Sequence, residues 1–139
     1  MIKRRKKQIL LLLAVLWLCV IFGHSLMPAS ISGKESGGIF AWLHQFFPWL
    51  SHKLLRKLAH FAAFAVLGGL LCGLFWCYER FHLFKPMGTA LCAAFVDETI
   101  QLFVTGRSGQ ISDMWIDLSG AVSMIVLVWL LLKRKRKIS

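Results

Sequence analysis

The stretch from 97 to 117, DETIQLFVTGRSGQISDMWID, sets Asp97, Glu98, Asp113 and Asp117 into apolar sequence, and these are four of the chain's six acidic side chains. A carboxylate taken out of water is tolerated only with partners, so the fold must bring partners to this stretch, and function is expected there. The stretch reads as the end of one helix, a tight turn and the start of the next. Asp97 and Gln101 share a helix face, as do Asp113 and Asp117, and Gly120 continues the second face by another turn. Thr105, Gly106, Ser108 and Gly109 supply turn chemistry, and Ser112 is predicted as the N-cap of the following helix. Arg107, at the tip, is expected to fold back over the acids.

The rest of the chain says where these charges lie. At 139 residues, 58% hydrophobic and net charge +11, with mean hydropathy +0.66, it is too apolar for an ordinary soluble domain. The predicted fold class is all-α: an integral membrane bundle of four transmembrane helices, as one domain over 1–139. The spans are read at approximately 8–26, 54–78, 87–104 and 113–132. The basic segment ahead of the first span resembles a signal-peptide n-region. Cleavage after Ala29 would put Met27, which is not small, three residues upstream, so an uncleaved first helix is predicted.

Between the first two spans, PASISGKESGG reads as a loop, followed by the aromatic IFAWLHQFFPWL. Ile39, Trp42, Leu43, Phe46 and Leu50 recur at helical spacing, but the stretch is too short to span and Pro48 interrupts it. It is read as an interfacial or re-entrant segment at headgroup level, with a lid packed on the other helices as the alternative. The second span places Arg56, Lys57 and His60 near one interface, and its Gly69 and Gly73 form a GxxxG pair that permits close helix approach.

Lys3 to Lys7 and Lys133 to Lys137 flank the first and last spans, and the charged connection at 78–85 adds Arg80 and Lys85 on the same side. That side holds 12 of the 17 Lys and Arg, so both termini are predicted to be cytoplasmic in a multi-pass protein of the cell (plasma) membrane. Basic tracts abutting apolar helices orient a membrane protein, and no nucleic-acid partner is expected. By this topology Asp97 lies ~10 Å below the extracytoplasmic surface. Cys19, Cys72, Cys77 and Cys92 lie in or beside apolar helices without CxxC spacing, which predicts neither a disulfide nor a cysteine metal site.

HSLMPASISGKESG after the first span, RKLAHFAAFAVLG opening the second and DETIQLFVTGRSGQISDMWIDLSGA across the last two resemble the VanZ-like membrane proteins. The resemblance rests on Arg56, Lys57, His60, Phe64, Asp97, Glu98, Gln101, Gly106, Arg107, Asp113, Asp117 and Gly120, and the final acidic position is often Asn in that family. It implies a bacterial, Gram-positive membrane protein associated with glycopeptide resistance, teicoplanin above all, and supplies no mechanism.

The residues themselves suit a polar headgroup on an apolar tail. The expected ligand-binding set is Arg56, Lys57, His60, Asp97, Glu98, Gln101, Arg107, Asp113 and Asp117. The cations would hold phosphate or carboxylate oxygens, and the acids with Gln101 would accept from hydroxyls or amides. Bland readings stand beside this one: Asp113 as a dipole complement, Asp97 with Gln101 as interhelical glue, Arg107 as a neutralising charge. Three functions compete. The first, preferred, is binding or modulating a lipid-linked cell-wall precursor or envelope lipid. The second is an enzyme on such a headgroup, with His60 and Asp97 as the acid–base candidates. The chain has no G-x-S-x-G elbow and no HExxH, so no metal and no cofactor is expected. The third is a transporter or flippase, which four helices could form only as a homo-oligomer; the sequence leaves oligomerisation open.

Overall fold

The computed structural model describes residues 2–76, 83–107 and 109–138. Cys77, most of the charged connection read at 78–85, and Ser108 lie outside the described residues. The fold is all-helical: α1 (Ile2–Ser25), α2 (Ala29–Phe46), α3 (His52–Trp76), α4 (Phe84–Leu102) and α5 (Ile111–Ile138). The first and last helices run without a break through the basic tracts that flank their apolar stretches.

Three helices, α1, α3 and α5, are long and apolar enough to cross a membrane. The fourth span expected from sequence falls on α4, which lacks that character because Lys85, Asp97 and Glu98 interrupt its apolar residues. It nevertheless packs on α1, α3 and α5, with Leu91, Phe95 and Val96 turned outward. The bundle encloses polar groups and exposes large apolar ones: Asp97, Gln101, Asp117 and Ser25 are buried beside an apolar core, whereas Leu12, Val20, Val66, Phe95, Leu127 and Leu130 are exposed. Water does not select that arrangement, and lipid does.

The stretch read as a loop after the first span is helical, forming the first half of α2. Its serines and glycines are weak helix formers, and α2 is tied to the rest of the fold at its start and in its second half. The Ala29 N–H donates to the Thr105 carbonyl at 3.3 Å, and the Phe40 ring stacks on His52 at 3.6 Å between centroids. Ser51 then caps α3, its hydroxyl oxygen accepting the Leu54 N–H at 3.2 Å.

The core lies where α3 meets α4 and α5, around Phe64, Leu67, Leu71, Ala90, Ala94, Ala121 and Ile125. Trp17 fastens α1 to it, donating Nε1–H to the Ala63 carbonyl at 2.8 Å. The tightest approach is between α3 and α5, and it uses glycines other than the GxxxG pair. A Cβ on Gly68 would stand 2.3 Å from the Ala121 carbonyl oxygen, and one on Gly120 would stand 2.2 Å from that of Phe61. Gly69 and Gly73 meet only the side chains of Met124 and Leu10 at 3.2 and 3.6 Å, so the sequence pair is not what sets the crossing.

Gly68→Ala should therefore force backbone against backbone and cost ~1–3 kcal/mol. Gly88→Ala, with nothing within 4 Å among the described residues, should be neutral or gain up to ~1 kcal/mol of helix propensity. Thermal unfolding in detergent would separate the two, and equal melting temperatures would mean that the α3–α5 crossing is looser than described.

Candidate functional site

The end of α1, the start of α2, the start of α3, the end of α4 and the start of α5 converge on one end of the bundle. The link from α4 to α5 is made tight by two glycines. Gly106 adopts φ +77°, which reverses the chain, and Gly109 packs so closely that a Cβ would lie 2.6 Å from the Glu98 carbonyl oxygen. That approach places the Gln110 N–H 2.7 Å from Glu98 Oε2. Gln110 is the residue before α5, and its carbonyl accepts from the Asp113 and Met114 N–H groups. Glu98 thus secures the start of α5 from the neighbouring helix. Ser112, predicted as the cap, lies inside α5, and its hydroxyl instead donates to Gln110 Oε1 and Asp113 Oδ1 at 3.3 Å each.

Within the bundle the acids meet α3. Gln101 donates from Nε2 to Asp97 Oδ2 at 2.9 Å and accepts at Oε1 from Arg56 Nη2 at 3.1 Å, which fixes the orientation of its amide. His60 Nδ1 lies 3.4 Å from Asp117 Oδ1 and 3.7 Å from Asp97 Oδ2. Asp97, Gln101 and Asp117 have no solvent exposure. Asp97 Oδ1, both oxygens of Asp117 and His60 Nε2 are buried without a hydrogen-bond partner among the described residues. One donor atom from each of His60, Asp97 and Asp117 lies within 4.8 Å of the others. Asp113 stands apart from this group, at the rim, where Lys57 Nζ lies 3.3 Å and Arg56 Nη2 4.0 Å away.

Arg107 does not fold over the acids as expected. It turns to the end of α1, donating from Nε to the Met27 carbonyl at 2.8 Å and from Nη2 to the His24 carbonyl at 2.9 Å. A helix C-terminus presents unsatisfied carbonyls and negative potential, so a guanidinium is well matched there. Burial, and after it the Arg56 charge, pull the Arg107 guanidinium below its ordinary value, while Asp97 and Glu98 oppose the shift. It starts so high that it stays charged at neutral pH.

Outside the acids lies a cavity of about 260 Å³ between α2 and α3, lined by His24, His52, Lys53, Arg56, His60 and Arg107 together with small and apolar residues. No acidic side chain is among its described lining residues. A second, more apolar hollow of about 210 Å³ runs between α1 and α3, past Trp17, Val20, Ile21 and Phe64. The two share His24, Ala59 and His60. The residues predicted from sequence are therefore close together but divided. Arg56, His60 and Arg107 face the cavity, while Asp97, Gln101 and Asp117 sit behind His60, Glu98 holds the turn, and Lys57 pairs with Asp113. His24, His52 and Lys53 were not anticipated. For Lys53 the signal was present, because it lies three and four residues before Arg56 and Lys57 on the same α3 face.

Residues 10–132 match the family described as VanZ/LLP1, a range that holds the cluster and both hollows. No curated protein and no solved structure matches the chain.

Because Glu98 serves the Gln110 N–H, Glu98→Ala should lower unfolding stability by ~1–2 kcal/mol, the cost of orphaning a half-buried donor. Glu98→Gln keeps an acceptor oxygen and should recover most of that loss. Equilibrium unfolding in detergent would distinguish them; equal losses would show that the charge, not the bond, is what matters.

Proposed function

We infer that this chain, a multi-pass membrane protein that belongs to the VanZ/LLP1 family, binds the anionic head of an envelope amphiphile at its extracytoplasmic end. The observation that carries this reading is the pair of adjoining hollows. A cationic cavity with no acid in its described lining suits phosphate or carboxylate oxygens, and the apolar groove that opens from it beside His60 and Ala59 suits a hydrocarbon tail. A soluble anion would have no use for the groove, and a neutral lipid none for the cations.

The orientation follows from the basic tracts, which lie at the opposite end of the bundle from the cavity and favour the cytoplasm. In this reading α4 is the fourth span, its acids shielded by α3 and α5. The helix α2 lies along the interface, where exposed Trp42, Phe46, Phe47 and Trp49 meet the headgroups beside exposed Phe103 and Trp115. A lipid-linked cell-wall precursor, with a diphosphate head on a long apolar chain, has the required chemistry. Holding it would alter how glycopeptides of the teicoplanin type reach their target.

An acid–base enzyme is the second reading, and one observation favours it. His60 presents Nδ1 to two carboxylates, lines both hollows and has no partner at Nε2 among the described residues, an arrangement in which a histidine can move a proton.

Lys53→Glu reverses a cavity charge, and Ala59→Phe fills the junction of the hollows from an exposed position; neither touches the buried acids. Native mass spectrometry of protein purified from a Gram-positive membrane should show an anionic precursor or phospholipid on wild type. Retention should fall about tenfold or more in each variant, the factor that a loss of ~1.4 kcal/mol produces. Equal lipid content in all three would end the binding reading, and a bound precursor of altered mass would favour the enzyme.

A further inference from the structure

The interior cluster asks for something that the protein's own groups do not supply. Asp117 has no solvent exposure and, among the described residues, neither of its oxygens has a hydrogen-bond partner; Asp97 Oδ1 is likewise unpartnered there. Two carboxylates in this setting, facing one imidazole, are a costly arrangement for an apolar bundle. His60 faces both carboxylates but closes tightly on neither. A charge-assisted bond from imidazole to carboxylate closes to ~2.7–2.9 Å, whereas His60 Nδ1 stands 3.4 Å from Asp117 Oδ1 and 3.7 Å from Asp97 Oδ2.

Separations of this size also suit donors that share an ion. A tetrahedral ion with bonds of ~2.0–2.1 Å holds its donors ~3.3–3.4 Å apart. Donor atoms of His60, Asp97 and Asp117 all lie within 4.8 Å of one another, and side-chain rotation toward a shared ion would draw them in to that spacing. We propose that His60, Asp97 and Asp117 bind a divalent transition-metal ion of the Zn²⁺ type inside the bundle.

Charge and donor chemistry agree. One dication balances two carboxylates and leaves the imidazole neutral, as a ligand must be. One imidazole nitrogen with carboxylate oxygens suits Zn²⁺ and its neighbours, while Ca²⁺ and Mg²⁺ ask for more oxygens than converge here. The supporting shell is in place, since Gln101 donates to Asp97 Oδ2 and is itself fixed by Arg56. Three protein donors leave a further position, which the unpartnered second oxygens of the aspartates can fill. The site draws on helices α3, α4 and α5, so the ion would also cross-link the bundle. None of this depends on what occupies the outer cavity.

The test uses the purified full-length chain in detergent, stripped with a chelator and titrated with Zn²⁺ alone. Bound zinc is counted by elemental mass spectrometry after desalting, and the melting temperature is followed in parallel. Wild type should hold about one ion per chain and melt higher as zinc is added, because an ion that binds only the folded state stabilises it. Asp117→Asn and His60→Gln should bind at least ~100-fold more weakly, the upper end of what loss of a supporting contact alone costs a metal site. Asp117→Asn also removes an unmatched buried charge, so its zinc-free melting temperature should equal or exceed that of zinc-free wild type. A structural His60–Asp117 ion pair would instead make that variant melt lower with no response to zinc in either protein. His44→Ala, outside the cluster, should bind as wild type does. Absence of zinc on folded wild type, or undiminished zinc on Asp117→Asn, overturns the proposal.

Discussion

Asp97 governs the arrangement of the bundle's interior, because a carboxylate with no exposure inside an apolar assembly must be met by donors from more than one direction. Its own helix provides Gln101, one turn away, and that amide is held in turn by Arg56 of α3. His60 approaches from α3 and Asp117 from α5. Each of these is itself polar and costly to bury, so none is stable there without the others. The result is a polar nucleus assembled from three helices, in which the helix that carries Asp97 and Glu98 is too polar to stand in lipid by itself and has to be packed against its neighbours.

That nucleus depends on how closely α3 and α5 approach. Phe61 follows His60 in the chain, and its carbonyl lies where a Cβ of residue 120 would stand. Gly120 is three residues from Asp117 on the same face of α5. The absence of a side chain at Gly120 therefore sets the distance between His60 and Asp117, and Gly68 against Ala121 keeps the crossing tight two turns further along. At the end of the bundle, Gly109 does the same for Glu98 and Gln110. Small residues are the means by which a membrane bundle, lacking a hydrophobic drive between helices, gains the van der Waals contact that holds it together. Here the same contacts bring the polar groups into register.

Much of this could be read from the sequence, and the parts that could not have a common cause. Spacing of four residues placed Asp97 with Gln101 correctly, because helical periodicity is local, whereas Asp113, one turn before Asp117, lies at the rim with Lys57. The apolar runs located α1, α3 and α5 for the same reason. Which partners meet across helices depends on rotation and crossing, which no local pattern encodes. Hence Arg107 was directed at the acids when it serves the end of α1, and the close crossing was assigned to Gly69 and Gly73 when Gly68 and Gly120 make it. The helix α2 was missed over its first half because the serines and glycines there disfavour a helix. Its tie to Thr105 and the stacking of Phe40 on His52 are long-range contacts.

The division between an outer cationic layer and an inner acidic one follows from depth. Lys53, Arg56 and Arg107 are long side chains near helix ends, able to reach polar surroundings while their stems stay in apolar ones. Asp97 and Asp117 are short, and at their depth they face one another, His60 and, for Asp97, Gln101. Arg56 belongs to both layers: it lines the outer cavity, lies 4.0 Å from Asp113 and donates to the Gln101 amide that orients Asp97. An anion in the cavity would compete for that guanidinium and weaken its screening of the acids behind, whereas added positive charge among the acids would release Arg56 toward the cavity. Charge in either layer therefore changes the affinity of the other for its counter-charge, and the sign is favourable for an anion outside and a cation inside. Such coupling is reciprocal by thermodynamic necessity, and in this fold it runs through the contacts that the Arg56 side chain makes.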